Sequence, residues 1–235
     1  MNSDRKTAII VGVLFIVGTA AGILSLVFTS PILDAPDFLR KVAANGNQIV
    51  IAALCVLTMG FALAMVPVLM FPILKKYSEA LALGYVVFRG GLETVVCIAT
   101  AIGWLLLLPL GRVYVKADIL EASGFQVLGT LLREIGHLPM GIFVFGLGAL
   151  IFYSLLYRSN LVPRWISVWG LIAILLHLAT GFLIVFGLQS DFSTMNTVMN
   201  LPIILQEMVM AGWLIAKGFN APVVTARTAL VEAAS

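Results

Sequence analysis

The sequence predicts an all-α integral membrane protein with six crossings, and three observations carry that prediction. Hydrophobic residues fill 61% of the 235 positions and charged ones only 11%, with a mean hydropathy of +1.10. Six apolar stretches stand at about 8–29, 49–74, 80–109, 138–157, 165–188 and 200–217. Each approaches or exceeds the ~20 residues a helix needs to cross a bilayer. The polar breaks between them are too short to hold a core of their own, the longest running from about 110 to 137. One transmembrane domain over 1–235 follows.

The first stretch opens after Arg5 and Lys6. It is too long for a signal-peptide core and no cleavage site follows it, so it is expected to be retained as a helix. In the second, Pro67 and Pro72 fall near the end and should kink the helix or unwind its last turns. The tight break Lys75-Lys76-Tyr77-Ser78-Glu79 makes the second and third spans antiparallel neighbours. Before the fourth span, Leu128, Leu131, Leu132 and Ile135 recur at helical spacing, with Gln126, Thr130, Arg133 and His137 opposite and Glu134 at the edge. That pattern predicts an amphipathic helix over about 125–137, lying in the outer interface or turning its polar stripe over a cavity mouth. Pro139 suits the first turn of the span that follows.

Charge sets the expected orientation. Arg5, Lys6, Lys75, Lys76, Arg158, Arg164, Lys217 and Arg227 fall on one side, against Asp4, Glu79 and Glu232. Arg40, Lys41, Arg112 and Lys116 fall on the other, against Asp34, Asp37, Asp118, Glu121 and Asp191. Basic loops stay in the cytoplasm, so both termini are expected there. The net charge of +3 is scattered over helix ends rather than gathered in a patch, which argues against a nucleic-acid partner. The lipid bilayer is the partner the sequence requires; a small-molecule or lipid ligand and a homo-oligomer stay open.

Few ionisable residues fall within the spans: Arg89 and Glu93 in the third, His177 in the fifth, Glu207 in the sixth. A charge at the bilayer centre costs on the order of 2.5–3.5 kcal/mol even on lenient scales, so these groups must face one another or water. Arg89 and Glu93 are four apart and can pair on one face, with Tyr85 a turn earlier. Gly90 and Gly91 beside them should let a neighbouring helix come close. Glu207 needs a partner from another helix, His177 or Arg89, or else a proton of its own. Arg89, Glu93, His177 and Glu207 are thus the candidate ligand or proton-relay residues. Arg133, Glu134 and His137 are candidates for an outer vestibule.

Metal and haem sites are weakly drawn. Glu134 and His137 have the Glu-x-x-His spacing of di-iron bundles, but it occurs once, and the other candidates, Glu93, Glu207 and His177, lie at a different depth. Haem held by His137 and His177 meets the same difficulty. Cys55 and Cys97 sit alone inside spans and read as small apolar side chains. No cofactor or metal is therefore expected, and no nucleophile motif argues for an enzyme.

Three stretches resemble a known family. They are Ala82-Leu83-Gly84-Tyr85-Val86-Val87-Phe88-Arg89, then Tyr157-Arg158-Ser159-Asn160-Leu161-Val162-Pro163-Arg164-Trp165-Ile166-Ser167-Val168-Trp169-Gly170, and Gln206-Glu207-Met208 running on to Gly212-Trp213-Leu214-Ile215-Ala216-Lys217-Gly218-Phe219-Asn220. With Arg5-Lys6-Thr7-Ala8 they resemble the bacterial membrane family called domain of unknown function 4386, over nearly the whole chain. The resemblance implies a multi-pass protein of the bacterial cytoplasmic membrane, with Arg89 and Glu207 in the family pattern and no activity attached to either. The leading functional expectation is binding or transport of a small molecule or lipid through the polar cluster. The alternatives are a non-catalytic protein acting through partner helices and a metal- or haem-dependent intramembrane enzyme.

Overall fold

The computed structural model describes residues 3–135, 139–188 and 194–220. Its elements are α1 (Ser3–Leu33), α2 (Phe38–Ala44), α3 (Gly46–Leu74), α4 (Glu79–Tyr114), α5 (Ile119–Glu134), α6 (Pro139–Ser159), α7 (Arg164–Val185) and α8 (Thr194–Ala216). No strand occurs among the described residues. Six of the helices, all but α2 and α5, are long and apolar enough to cross a membrane. His137, Asp191, Arg227 and Glu232 lie outside the described residues.

The spans match the apolar stretches, with differences at their ends. Helix α3 runs unbroken through Pro67 and Pro72 to Leu74, so the expected unwinding does not occur. Helix α4 passes Pro109 and ends only at Tyr114. Ser78 caps its start, the hydroxyl accepting from Leu81 N at 3.4 Å, with Glu79 in the positive first turn. The short α2 was not expected from the sequence, and α5 begins at Ile119 rather than near 125.

Helix α5 also turns differently. Phe125, Gly129 and Leu132 face inward, whereas Leu128 and Leu131 are exposed. A methyl on Gly103 of α4 would lie 2.8 Å from Leu132 O, so α5 is packed tightly against α4. Arg133 points into the protein as well, donating to Leu33 O at 2.9 Å and lying over the Phe38 ring at 5.1 Å. The outward leucines are left to face lipid, and the arginine ties α5 to the end of α1.

In the order of their packing the spans close a ring: α4, α3, α1, α8, α7, α6 and back to α4. The core inside it is divided. One cluster draws on α1, α3, α4, α6, α7 and α8, with Phe15, Met70, Tyr85, Phe152, Tyr153 and Ile166 among its members. A second, toward the α2–α5 end, contains Leu39, Ile49, Val56, Cys97, Trp104 and Leu107, and among the described residues it takes nothing from α6, α7 or α8. The ring is therefore closed at one end, while at the other end those three helices share no core with the first five.

The closed end carries the start of α1 and the end of α8. Arg5 donates to Leu214 O at 3.0 Å, Ile215 O at 2.7 Å and Ala216 O at 3.2 Å, covering carbonyls that the last turn of α8 leaves open. Asp4, Arg5, Lys76, Tyr77, Leu161 and Lys217 share one cleft there, so basic residues from separate breaks do gather on one face. Arg5→Ala is expected to cost about 1–2 kcal/mol and to speed amide exchange selectively at the end of α8. Unchanged exchange in that turn would mean that water serves those carbonyls equally well.

Candidate functional site

Arg89 lies ten residues into α4, and Glu207 lies nine residues before the end of α8. At 1.5 Å per residue those offsets are about 15 and 14 Å, which is half of a ~30 Å hydrocarbon core. The two helices run in opposite directions, and the two residues therefore reach the same depth near the midplane. There they meet. Arg89 Nη2 donates to Glu207 Oε1 at 3.0 Å, and Nη1 donates to both carboxylate oxygens of Glu93 at 3.0 Å. The guanidinium also lies over the Phe145 ring of α6, 4.4 Å from its centroid. Arg89 itself is only 3% exposed.

Local backbone structure allows this crowding. Val86–Leu92 is a π-helical segment within α4, in which Glu93 N–H bonds to Phe88 O rather than to Arg89 O. Such turns are rare and tend to occur at functional sites. Gly90 and Gly91 were expected to admit a neighbouring helix, yet nothing lies within 4 Å of a methyl placed on Gly91, and at Gly90 the contacts are ordinary. The close approach comes from across the interface. A methyl on Gly148 of α6 would lie 3.2 Å from Arg89 N and 3.4 Å from Arg89 Cβ. Glycine at 148 brings the α6 backbone against the π segment.

His177 does not pair with Glu207. Its Nδ1 lies 2.5 Å from Asn200 Oδ1, while Asn200 Nδ2 donates to Asn196 O and Oδ1 at 2.9 and 2.6 Å. Because the Asn200 amide nitrogen is the donor to Asn196, its oxygen faces the imidazole and His177 Nδ1 carries the proton. The imidazole meets the Phe145 ring edge-on at 4.8 Å, so a single phenyl ring separates it from Arg89. Arg89, Glu93 and Glu207 form one group and His177 a neighbouring one.

Neither Arg133 nor Glu134 lines the cavity at this site; Arg133 is held at Leu33 and Glu134 is about half exposed beside it. The vestibule residue His137 lies outside the described residues. No three His, Cys, Asp or Glu come together as a metal-holding group among the described residues. Cys55 and Cys97 are free thiols on separate helices, Cys97 packed against Gly60.

The cavity itself holds about 410 Å³ and lies in the ring between the two core clusters. Arg89, Glu93 and Glu207 line its polar part; Leu63, Val96, Trp104 and Phe145 are among its apolar walls. Two polar atoms here have no partner among the described residues. Glu207 Oε2 accepts no hydrogen bond, and the buried Trp104 Nε1 donates none. The indole nitrogen is buried, where polar groups are nearly always paired, and the Glu207 oxygen is open to the same cavity; together they mark a place for a ligand or water.

Sequence reasoning did not single out Phe145, Tyr153, Gln206 or Asn200. Tyr153 donates to Gln206 Oε1 at 2.6 Å, and Gln206 Nε2 donates to Ile166 O at 3.0 Å, joining α6, α7 and α8 just beside Glu207. Their polar character inside apolar spans was the available signal, since an uncharged amide in lipid also needs partners.

The family model described as Domain of unknown function (DUF4386) matches residues 10–218, which includes every residue of this site. The chain belongs to that family. No curated protein and no solved structure matches the chain. For this DUF4386 protein the physical chemistry of the site therefore carries the functional argument.

Proposed function

We propose that this protein binds a small molecule inside the helix ring and carries it within or across the membrane, with Arg89, Glu93 and Glu207 as the polar end of the site. One observation supports this above the others: an unpaired carboxylate oxygen of Glu207, beside one guanidinium shared by two carboxylates, on a cavity of about 410 Å³. Small-molecule sites have this form, mostly apolar with a few convergent polar groups, at ~300–1,000 Å³. Both terminal nitrogens of Arg89 are already held by glutamates, which disfavours an anion as the ligand of that guanidinium. With two carboxylates to one guanidinium, the group is completed by positive charge, a proton or a cation. His177 lies behind Phe145, bonded to Asn200, and adds polarity next to the group rather than within it. The basic cleft of Arg5, Lys76 and Lys217 fits a cytoplasmic placement of that end in a bacterial inner membrane.

The second reading, in which the charges serve helix packing alone, is favoured by the contacts Arg89 already makes: three hydrogen bonds and a ring face. Native mass spectrometry of protein released from nanodiscs separates the two. Thr100, a buried cavity residue bonded only within its own helix, allows the cavity to be filled without touching the ion group. The binding reading expects wild type to retain a small molecule or lipid that Thr100→Phe loses. Identical adducts on both proteins would leave packing as the role of the cluster.

A further inference from the structure

We infer that the ligand is a lipophilic monocation, an amine or quaternary ammonium with an apolar body, which enters sideways from the membrane and releases one proton as it binds. The inference rests on the binding reading above and gives it a substrate class and a route.

Charge decides the class. The groups facing the site are Arg89, Glu93, Tyr85 and Cys97 from α4, Glu207 from α8 and Tyr153 from α6. Helices α1 and α3 bring Thr19, Ser25, Met59 and Leu63 to the cavity, and no charge. His177 of α7 stands behind Phe145, bonded to Asn200. With both glutamates ionised, Arg89, Glu93 and Glu207 sum to one negative charge. An uncompensated charge near the midplane costs on the order of 2.5–3.5 kcal/mol at least, so the empty site holds one proton on a carboxylate. A cation that binds Glu207 Oε2 takes that proton's place; the proton leaves to solvent, and the charge of the site is the same before and after. An anion would add to the existing excess. A neutral ligand would leave the proton where it is.

The walls fit the same class. Trp104 presents aromatic surface to the cavity, and a cation beside such a ring gains about 0.5–2 kcal/mol; the Phe145 ring is already taken by the Arg89 guanidinium. Most of the remaining lining is apolar, which an inorganic cation could not use.

The route follows from the divided core. Cavity residues Ile23 and Leu26 of α1 are 51% and 54% exposed, and Ile204 of α8 is 38% exposed. These apolar side chains form a rim on the outside of the ring, between the two helices, where bilayer lipid would lie. The end of the bundle where α8 takes no part in the second core is also where this rim opens. A molecule already dissolved in the bilayer, with its charge turned inward, can pass this rim without crossing a polar loop.

The test uses the full chain in zwitterionic lipid nanodiscs, with decyltrimethylammonium as probe and decanoate and decanol as charge controls of the same tail. Calorimetry in buffers of differing ionisation enthalpy reads both affinity and protons released. The expected result is saturable binding of decyltrimethylammonium with release of about one proton per ligand. Binding should be at least about tenfold weaker in Glu207→Gln and in Thr100→Phe, whose ion group is intact. Saturable binding of decanoate or decanol instead, lost in Thr100→Phe, would overturn the cationic class and leave the binding reading standing. Cation binding without proton release would overturn the proton exchange, and with it the inference as stated. If all three probes partition alike into wild type and Thr100→Phe discs, both the inference and the reading beneath it fall.

Discussion

Replacing Arg89 with alanine is expected to lower the stability of the protein by about 3–5 kcal/mol, the loss found when one partner of a buried charged group is removed. The substitution deletes three hydrogen bonds and leaves Glu93 and Glu207 facing one another across a cavity in a medium that solvates neither. Both carboxylates would have to take up protons. The triple replacement Arg89→Met, Glu93→Leu and Glu207→Leu is expected to regain most of the loss, since removing all the charges together removes the desolvation as well. Unfolding midpoints in one detergent, at one protein concentration, read both. A drop of less than about 1 kcal/mol in Arg89→Ala would mean that water reaches the group freely, as at exposed ion pairs. That result would place the guanidinium in a wet channel rather than in a packed ring.

The contrast matters for the functional argument, because packing and binding make opposite demands on the same residues. A purely structural triad is satisfied by neutral, well-packed replacements. A ligand site is not, because the replacements lack the unpaired Glu207 oxygen that the cavity presents. A triple variant that is stable and yet binds none of the probes separates the two roles within a single protein.

Much of this arrangement is legible in the sequence. Crossing helices are dictated by length and hydropathy, which act along the chain and need no tertiary information. The Arg89–Glu93 pair is equally local, since residues four apart share a helix face. Pairing Glu207 is a question about two helices. Sequence narrowed it to His177 or Arg89 by requiring some partner, but the choice depends on the ring order that sets α8 across from α4. His177 found Asn200 instead, a partner on α8 that the sequence did not single out. Helix α5 shows the reverse problem. The leucines read from the sequence as one face divide in the fold: Leu128 and Leu131 are exposed, where a bilayer is an apolar solvent, and the close packing falls to Gly129 and Leu132. The π segment is legible only as two glycines next to a buried arginine, and nothing in the sequence distinguishes it from a tolerated break.

Gln206→Leu is expected to be the other large effect, about 2–4 kcal/mol from its two lost hydrogen bonds and the buried hydroxyl it strands. Gln206 is fully buried; it accepts from Tyr153 of α6 and donates to Ile166 of α7, so one side chain of α8 joins three helices. Leucine fills the space and removes both bonds, leaving the Tyr153 hydroxyl among apolar neighbours that include Phe152. Adding Tyr153→Phe should recover about 1–2 kcal/mol, because the stranded group goes with its partner, and a double-mutant cycle reads that coupling. The same junction sets the rotation of α8 at the very next residue, Glu207. If it positions the carboxylate, the double variant regains stability yet binds decyltrimethylammonium more weakly than wild type. Equal affinity would show that Arg89 alone, bonded to Glu207 at 3.0 Å, is enough to hold the carboxylate in place.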